Sequence, residues 1–198
     1  MRLAVLYLRS RSAAAALAVA VGTAAGLWWI AQAVDDPDLR RMLALFAALA
    51  GTAAMAPGLA GADVDLERTA GLAWLPRRGA HVILAGALVL GLLVSLAQAG
   101  DQLARGAVIA RDVAGLTGLV ALGAATIGAT RAWLPPAVWT LVSLWYMPPF
   151  ATPPHAHRYQ VMLTWMVQPT DARPATVAAV VLATAGTLAY ALRGPARN

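Results

Sequence analysis

The chain has 198 residues, of which 60% are hydrophobic and 12% are charged, whereas an average soluble domain has about 25% charged residues. Its net charge of +6 comes entirely from arginine, because the chain contains no lysine, and this excludes a P-loop nucleotide site. The absence of cysteine excludes disulfides and thiol chemistry.

Apolar runs of roughly 20 residues, the length that crosses the hydrocarbon core of a bilayer, recur along the chain. They predict an all-α integral membrane protein that forms a single transmembrane domain, 1–198, with six transmembrane helices. The predicted spans are 13–34, 42–62, 82–99, 113–130, 132–147 and 174–192. A basic stretch, 1–11, precedes the first span and predicts an interfacial helix, with a signal peptide as the alternative.

The arginines indicate how these spans are oriented. Six spans place both termini on one side of the membrane, and nine arginines fall on that side against six on the other. Because cytoplasmic loops carry the excess of basic residues, both termini are predicted to be cytoplasmic. The terminal-side set is Arg2, Arg9, Arg11, Arg68, Arg77, Arg78, Arg131, Arg193 and Arg197, and the opposite set is Arg40, Arg41, Arg105, Arg111, Arg158 and Arg173.

The connection between the second and third predicted spans is the most strongly charged stretch of the chain. Asp63 suits the N-cap of a helix, where a carboxylate complements the helix dipole. Leu66, Ala70 and Trp74 recur at four-residue spacing and therefore share one helix face. Pro76 is expected to end the helix at the preceding residue. The pattern predicts a short amphipathic helix that lies across the cytoplasmic membrane surface and meets a soluble partner.

The connection between the fifth and sixth predicted spans, 148–173, is too long for a tight turn. Its middle, 159–168, is apolar but only about half the length of a span, and prolines lie on both sides of it. Such a segment predicts a re-entrant or interfacial helix on the outer side, where non-helical backbone has to be buried in protein or face water.

Two spans carry stripes of small residues that would let helices approach closely. In the fourth span, the stripe is Ala114, Gly118, Ala121, Ala125 and Gly128. In the second span, it is Ala44, Ala47, Gly51, Ala54 and Gly58. Both stripes predict packing seams, either within the chain or against a second copy of it.

The predicted spans contain no Asp, Glu, Lys, Arg or His, because Arg111 and Asp112 are assigned to the polar connection before the fourth span. Ionisable residues inside a membrane are typical of proton relays and ion-coupled pumps, so their absence argues against a secondary transporter, a proton channel or an intramembrane protease. Uncharged span faces favour a lipophilic or amphipathic cargo. No catalytic constellation is present, and the chain is predicted not to be an enzyme.

Two weaker sequence patterns contain residue types that can bind a metal ion. His155 and His157 form a His-x-His pair in the outer loop, but no third ligand is evident. Asp35, Asp36 and Asp38 could bind a divalent cation that holds a diphosphate, but the second acidic cluster lies at the opposite face. We therefore predict no metal and no cofactor in this chain.

The charged connection resembles the loop between spans two and three in permease subunits of bacterial ATP-binding-cassette exporters with six spans per chain. That loop has Glu followed by a basic residue, then Gly, and then Leu, Pro and a basic residue. The matching residues here are Glu67, Arg68, Gly71, Leu75, Pro76, Arg77 and Arg78. The spacing is compressed, and Gly71-Leu72 stands where the family has Gly-Thr. The basic N-terminal stretch, the six predicted spans, the cytoplasmic termini and the short apolar segment before the last span extend the resemblance over the whole chain.

The resemblance implies a multi-pass protein of the bacterial cytoplasmic membrane that exports its cargo with energy from a separate ATPase. The charged connection would be a coupling helix that docks on that ATP-binding subunit, expected in two copies, which would hold ATP and magnesium. A second permease chain, the same or related, and membrane lipid are the other expected partners, and nucleic acid is not expected. The docking residues would be Asp65, Leu66, Glu67, Arg68, Trp74, Arg77 and Arg78. The alternative is a membrane scaffold or assembly protein without its own transport path.

Overall fold

The computed structural model describes residues 13–60, 74–99, 104–146, 157–169 and 171–196. Within these ranges the fold is all-α, as predicted, and no strand is present. The helices are α1 (Ala13–Gln32), α2 (Pro37–Ala54), α3 (Trp74–Gln98), α4 (Gly106–Ile127), α5 (Leu134–Tyr146), α6 (Arg158–Leu163) and α7 (Arg173–Arg193). Short 3-10 turns cover Ala56–Leu59, Ala129–Arg131 and Trp165–Val167. The predicted interfacial helix, 1–11, lies outside the described residues.

Four of these elements are long and apolar enough to cross a membrane, as expected of a transmembrane protein: α2 with its following turn, α3, α4 and α7. The apolar part of α1, Leu17–Gln32, is shorter. Helix α5 has 13 residues and is therefore only about 20 Å long. By length and composition, the described residues thus contain four candidate spans. The presence of six spans remains a prediction.

The long helices form a bundle with two distinct ends, in which α2, α4 and α7 run parallel to one another and α3 runs in the opposite direction. At the first, which we call the terminal end, the Tyr190 hydroxyl donates to the Leu59 carbonyl (2.7 Å) and the Ala196 amide donates to the Ala124 carbonyl (2.8 Å). These bonds hold the C-terminal ends of α2, α4 and α7 together. The opposite end, where those three helices begin, is called the distal end.

Helix α4 is the centre of the bundle. Its apolar window is 78% buried, compared with 22% for α3 and 28% for α7. It makes its most extensive contact with α7. A Cβ atom on Gly118 would meet the Leu182 carbonyl oxygen, and one on Gly186 would meet the Gly118 carbonyl oxygen. Glycine at both positions therefore lets the two backbones touch, which is how membrane helices gain packing contact.

The small-residue stripe of α4 accordingly faces other helices of the same chain at Gly118. Ala121 and Ala125 are also buried in the bundle, whereas Ala114 is half-buried. Gly128 lies beyond the end of α4, where its φ of 89° ends the helix in a conformation that favours glycine. In α2, Gly51 faces the side chain of Val89 on α3.

The prediction that Pro76 ends a helix is wrong, because α3 begins at Trp74 and passes through Pro76. A proline in the first turn of a helix removes no intrahelical hydrogen bond and has a suitable φ, so it favours a start as well as a stop. The first two turns of this long helix therefore contain Trp74, Arg77 and Arg78. The remainder of the predicted coupling helix, 63–73, with Asp65, Leu66, Glu67 and Arg68, lies outside the described residues.

Candidate functional site

A buried ion pair lies near the start of α4. The helix begins at Gly106, so Arg111 and Asp112 belong to it, with exposed fractions of 7% and 4%. The prediction of spans without ionisable residues is thus wrong for α4, and it gives no ground against ion-coupled transport. The small and apolar residues 106–110 lie on the N-terminal side of the charged pair. They indicated that the helix could begin before Arg111.

All three nitrogen atoms of the Arg111 guanidinium donate hydrogen bonds. Its Nε donates to Oδ1 of Asp112 at 3.1 Å. Nη1 donates to the carbonyl of Pro169 (3.1 Å), and Nη2 donates to those of Gln168 (3.0 Å) and Met166 (3.4 Å). An arginine fork has five N–H donors, and the last carbonyls of a helical turn lack partners of their own. Arg111 therefore caps the 3-10 turn Trp165–Val167 with a positive charge.

The capped turn belongs to residues 157–169, which we call the distal segment and which contain α6. Its last part is fully enclosed: the side chains from Trp165 to Gln168 have no solvent exposure. The Gln168 Nε2 donates to Oγ1 of Thr164 (2.7 Å), and this hydroxyl donates to the Gln160 carbonyl (2.7 Å). The segment thus satisfies these side-chain groups internally, and several of its carbonyls accept from other helices.

Helix α4 also provides an apolar seat for the distal segment. The ring of Trp165 lies against Gly115, where an added Cβ atom would be 2.7 Å from Cζ2 of the indole. Gly115 follows Arg111 by one helical turn, so the two residues share a face. That face therefore presents a cation for the carbonyls and a gap for the indole.

Two further helices reach the same segment through its backbone carbonyls. From α2, Arg41 Nη2 donates to the Gln168 carbonyl at 3.4 Å. From α5, Trp139 Nε1 and Ser143 Oγ both donate to the carbonyl of Leu163, at 2.7 and 3.2 Å. The distal segment is therefore fixed by side chains of α2, α4 and α5.

The terminal end carries a second, basic cluster. The guanidinium carbons of Arg77 and Arg78 lie 5.9 and 6.0 Å from the ring centroid of Trp74, within cation–π range. Arg78 also packs on Gly194, which has a φ of 71° and immediately follows α7. Arg77 and Arg193 are exposed. The cluster thus joins the first turn of α3 to the end of α7.

Asp36, Asp38 and His157 of the weaker acidic and histidine patterns have structural roles, whereas His155 lies outside the described residues. Asp36 caps α2 by accepting from the amide of Asp38 at 2.9 Å. The His157 amide donates to Oε1 of Gln160, and its imidazole stacks on Tyr159 at 5.5 Å between centroids. In the described part of the chain, no three His, Cys, Asp or Glu residues are grouped to hold a metal.

No protein-family model, curated protein or solved structure matches this chain. The two polar clusters, one at each end of an apolar helix bundle, are the features that bear on function.

Proposed function

We propose that the chain is the permease subunit of an ATP-binding-cassette exporter in the bacterial cytoplasmic membrane. It moves a lipophilic or amphipathic compound, and ATP is hydrolysed on a separate subunit. In this proposal α1 and α5 complete six spans, and both termini are cytoplasmic.

The continuity of α3 is the observation that carries the proposal. Its 25 residues extend over about 37 Å without a break. Its first turns hold Trp74 and Arg77, which form the last part of the charged connection, and its other end reaches the distal end of the bundle. An unbroken helix moves as a rigid body, so a displacement at a docking site on the connection would be transmitted through the membrane. The contact between Arg78 and Gly194 would carry the same displacement to α7.

The terminal cluster suits docking on an acidic protein surface. Leu75 and Arg77 are exposed, and the indole of Trp74 is half-buried beneath the guanidinium groups. An aromatic anchor surrounded by arginines is a common composition for the centre of a protein interface, and the charges fix its register. The proposed assembly has two ATPase subunits and a second permease chain, the same or related. ATP and magnesium would bind on the ATPase.

The exposed faces of the long helices support a lipophilic cargo. Arg111 and Asp112 are enclosed and occupied by each other and by backbone carbonyls, so they do not charge the outer surface. The exposed side chains include Ile83, Leu84 and Leu88 on α3. Such faces can contact lipid or an apolar compound without the cost of desolvating charge.

A charge reversal tests the docking role. Arg77→Glu would place a carboxylate against the acidic partner surface, and the control Arg131→Glu changes an exposed arginine of the same end on another turn. We expect Arg77→Glu to weaken binding of the ATPase subunit by about tenfold or more, with a parallel loss of stimulated ATP hydrolysis and export in reconstituted vesicles. Equal behaviour of the two variants would contradict the proposal.

A further inference from the structure

We propose that Arg111 is a releasable latch for the distal segment, residues 157–169. In the structure the latch is closed, and the segment plugs the distal end between α2, α4, α5 and α7. When it releases, the buried turn Trp165–Gln168 becomes accessible from the distal side. This inference does not depend on a partner ATPase.

The first support is that release leaves no charge unpaired. The Nε of Arg111 donates to Asp112 on the same helix, so this ion pair stays on α4 wherever the distal segment lies. A buried arginine without a counter-ion would be prohibitively costly at membrane depth. The carboxylate therefore allows the guanidinium to exchange the carbonyls for water.

The second support is that the segment carries its own polar network. The bonds from Gln168 to Thr164 and from Thr164 to Gln160 lie entirely within it and move with it. The bonds to it from outside include side-chain donors on α2, α4 and α5 to the carbonyls of residues 163–169, and the Ala172 amide, which donates to the Pro169 carbonyl at 3.3 Å. A segment that keeps its internal bonds and exchanges bonds from other helices for water can act as a two-state element.

The third support is a conflict within the closed state. The Nε1 of Trp165 is buried and has no hydrogen-bond acceptor among the described residues. A buried donor without a partner opposes closure, whereas water would satisfy it on release. Burial of the side chains of Trp165, Met166 and Val167 favours closure. Arg111 therefore adds the interaction that makes the closed arrangement the resting one.

Cysteine labelling tests the latch directly, because the chain has no cysteine of its own. Val167→Cys places one thiol in the distal segment, and Val120→Cys places a control thiol in the core of α4 nearer the terminal end. Both positions have no solvent exposure. Right-side-out membrane vesicles are treated with a membrane-impermeant maleimide, and the labelling rate is measured with Arg111 and with Arg111→Gln.

We expect the thiol at 167 to label slowly with Arg111 and about tenfold faster or more in Arg111→Gln, since hydrogen bonds to a charged group shift an opening equilibrium by such a factor. Arg111→Lys, which keeps the charge but not the fork, should fall between them. The thiol at 120 should stay protected throughout. Unchanged labelling at 167 in Arg111→Gln would overturn the latch. A joint rise at 167 and 120 would also overturn it, because Arg111 would then hold the whole bundle.

A second variant acts on the apolar seat and keeps Arg111. Gly115→Ala would push its methyl group into the Trp165 ring, whereas Gly91→Ala adds a methyl group with nothing within 4 Å. Labelling at 167 should rise in Gly115→Ala and stay at the parent rate in Gly91→Ala. Equal rates in the two alanine variants would contradict the joint action of Arg111 and Gly115.

Discussion

Gly118 and Gly186 set the separation between α4 and α7. Each presents a bare backbone to the other helix, and the Cα of Ala183 lies only 2.6 Å from the place where a Cβ of Gly118 would stand. A backbone cannot move aside as a flexible side chain can. The two residues therefore limit how closely the central helix and the last helix pack.

Alanine substitutions at these glycines should separate packing from helix propensity. We expect Gly118→Ala and Gly186→Ala each to lower the free energy of unfolding in detergent by about 1–3 kcal/mol, because the methyl group overlaps backbone atoms. Gly22→Ala and Gly91→Ala, which meet nothing within 4 Å, should be neutral or stabilising by up to about 1 kcal/mol. Thermal unfolding followed by tryptophan fluorescence measures both pairs, and similar losses in all four variants would show that the close approach is not what matters.

For some residues, the sequence predicted the environment but not the contacts. The small-residue stripe predicted that Gly118 lies in a seam, but its partner could not be known without the fold. Arg111 and Asp112 follow a short apolar run, and hydropathy alone assigned them to a loop. The carbonyls that satisfy Arg111 lie more than 50 residues away in the chain. That compensation is invisible in a sequence, and it is what allows a charged pair inside a membrane helix.

Among the elements, the distal segment depends most on its neighbours. The carbonyl of Leu163 lies in the last turn of α6, where it has no intrahelical partner, and it accepts from both Trp139 and Ser143. These donors lie four residues apart and thus on one face of α5. Because the Leu163 carbonyl accepts from two donors, either donor can satisfy it when the other is lost.

A double-mutant cycle on α5 tests this redundancy. We expect Trp139→Phe and Ser143→Ala each to cost about 0.6 kcal/mol or less, because the other donor still satisfies the carbonyl. The double variant leaves that carbonyl without either donor and should cost more than the sum of the two single losses, by up to about 3 kcal/mol. Unfolding free energies of the four proteins give the coupling term, and strict additivity would indicate that the two bonds act separately.

Elements differed in how far the sequence could predict them. The apolar runs gave each of the long helices, because about 20 apolar residues leave few alternatives. The boundaries were wrong where a helix extends past its apolar part, as at Trp74–His81 in α3 and Gly106–Asp112 in α4. The helix end predicted at Pro76 was wrong because proline is common both after the end of a helix and in its first turn.

At the scale of the whole molecule, the bundle separates two polar clusters. The terminal end has an aromatic and basic cluster, which we propose docks on a partner, and the distal end holds a segment of the chain in place. Helix α4 connects them, since it carries the Arg111 and Gly115 seat near one end and packs on α7 through Gly118. The central place of α4 could not be predicted, because the apolar runs resemble one another in composition and differ only in which neighbours they contact.

The measurement that tests the proposed function most directly is native mass spectrometry of the chain purified from its own membrane in a mild detergent. We predict a complex that contains an ATP-binding subunit in stoichiometric amount, expected in two copies, together with a second permease chain. The mass would show whether that second chain is identical or related. A folded, intact chain that purifies alone would contradict the exporter proposal and favour a scaffold without its own transport path.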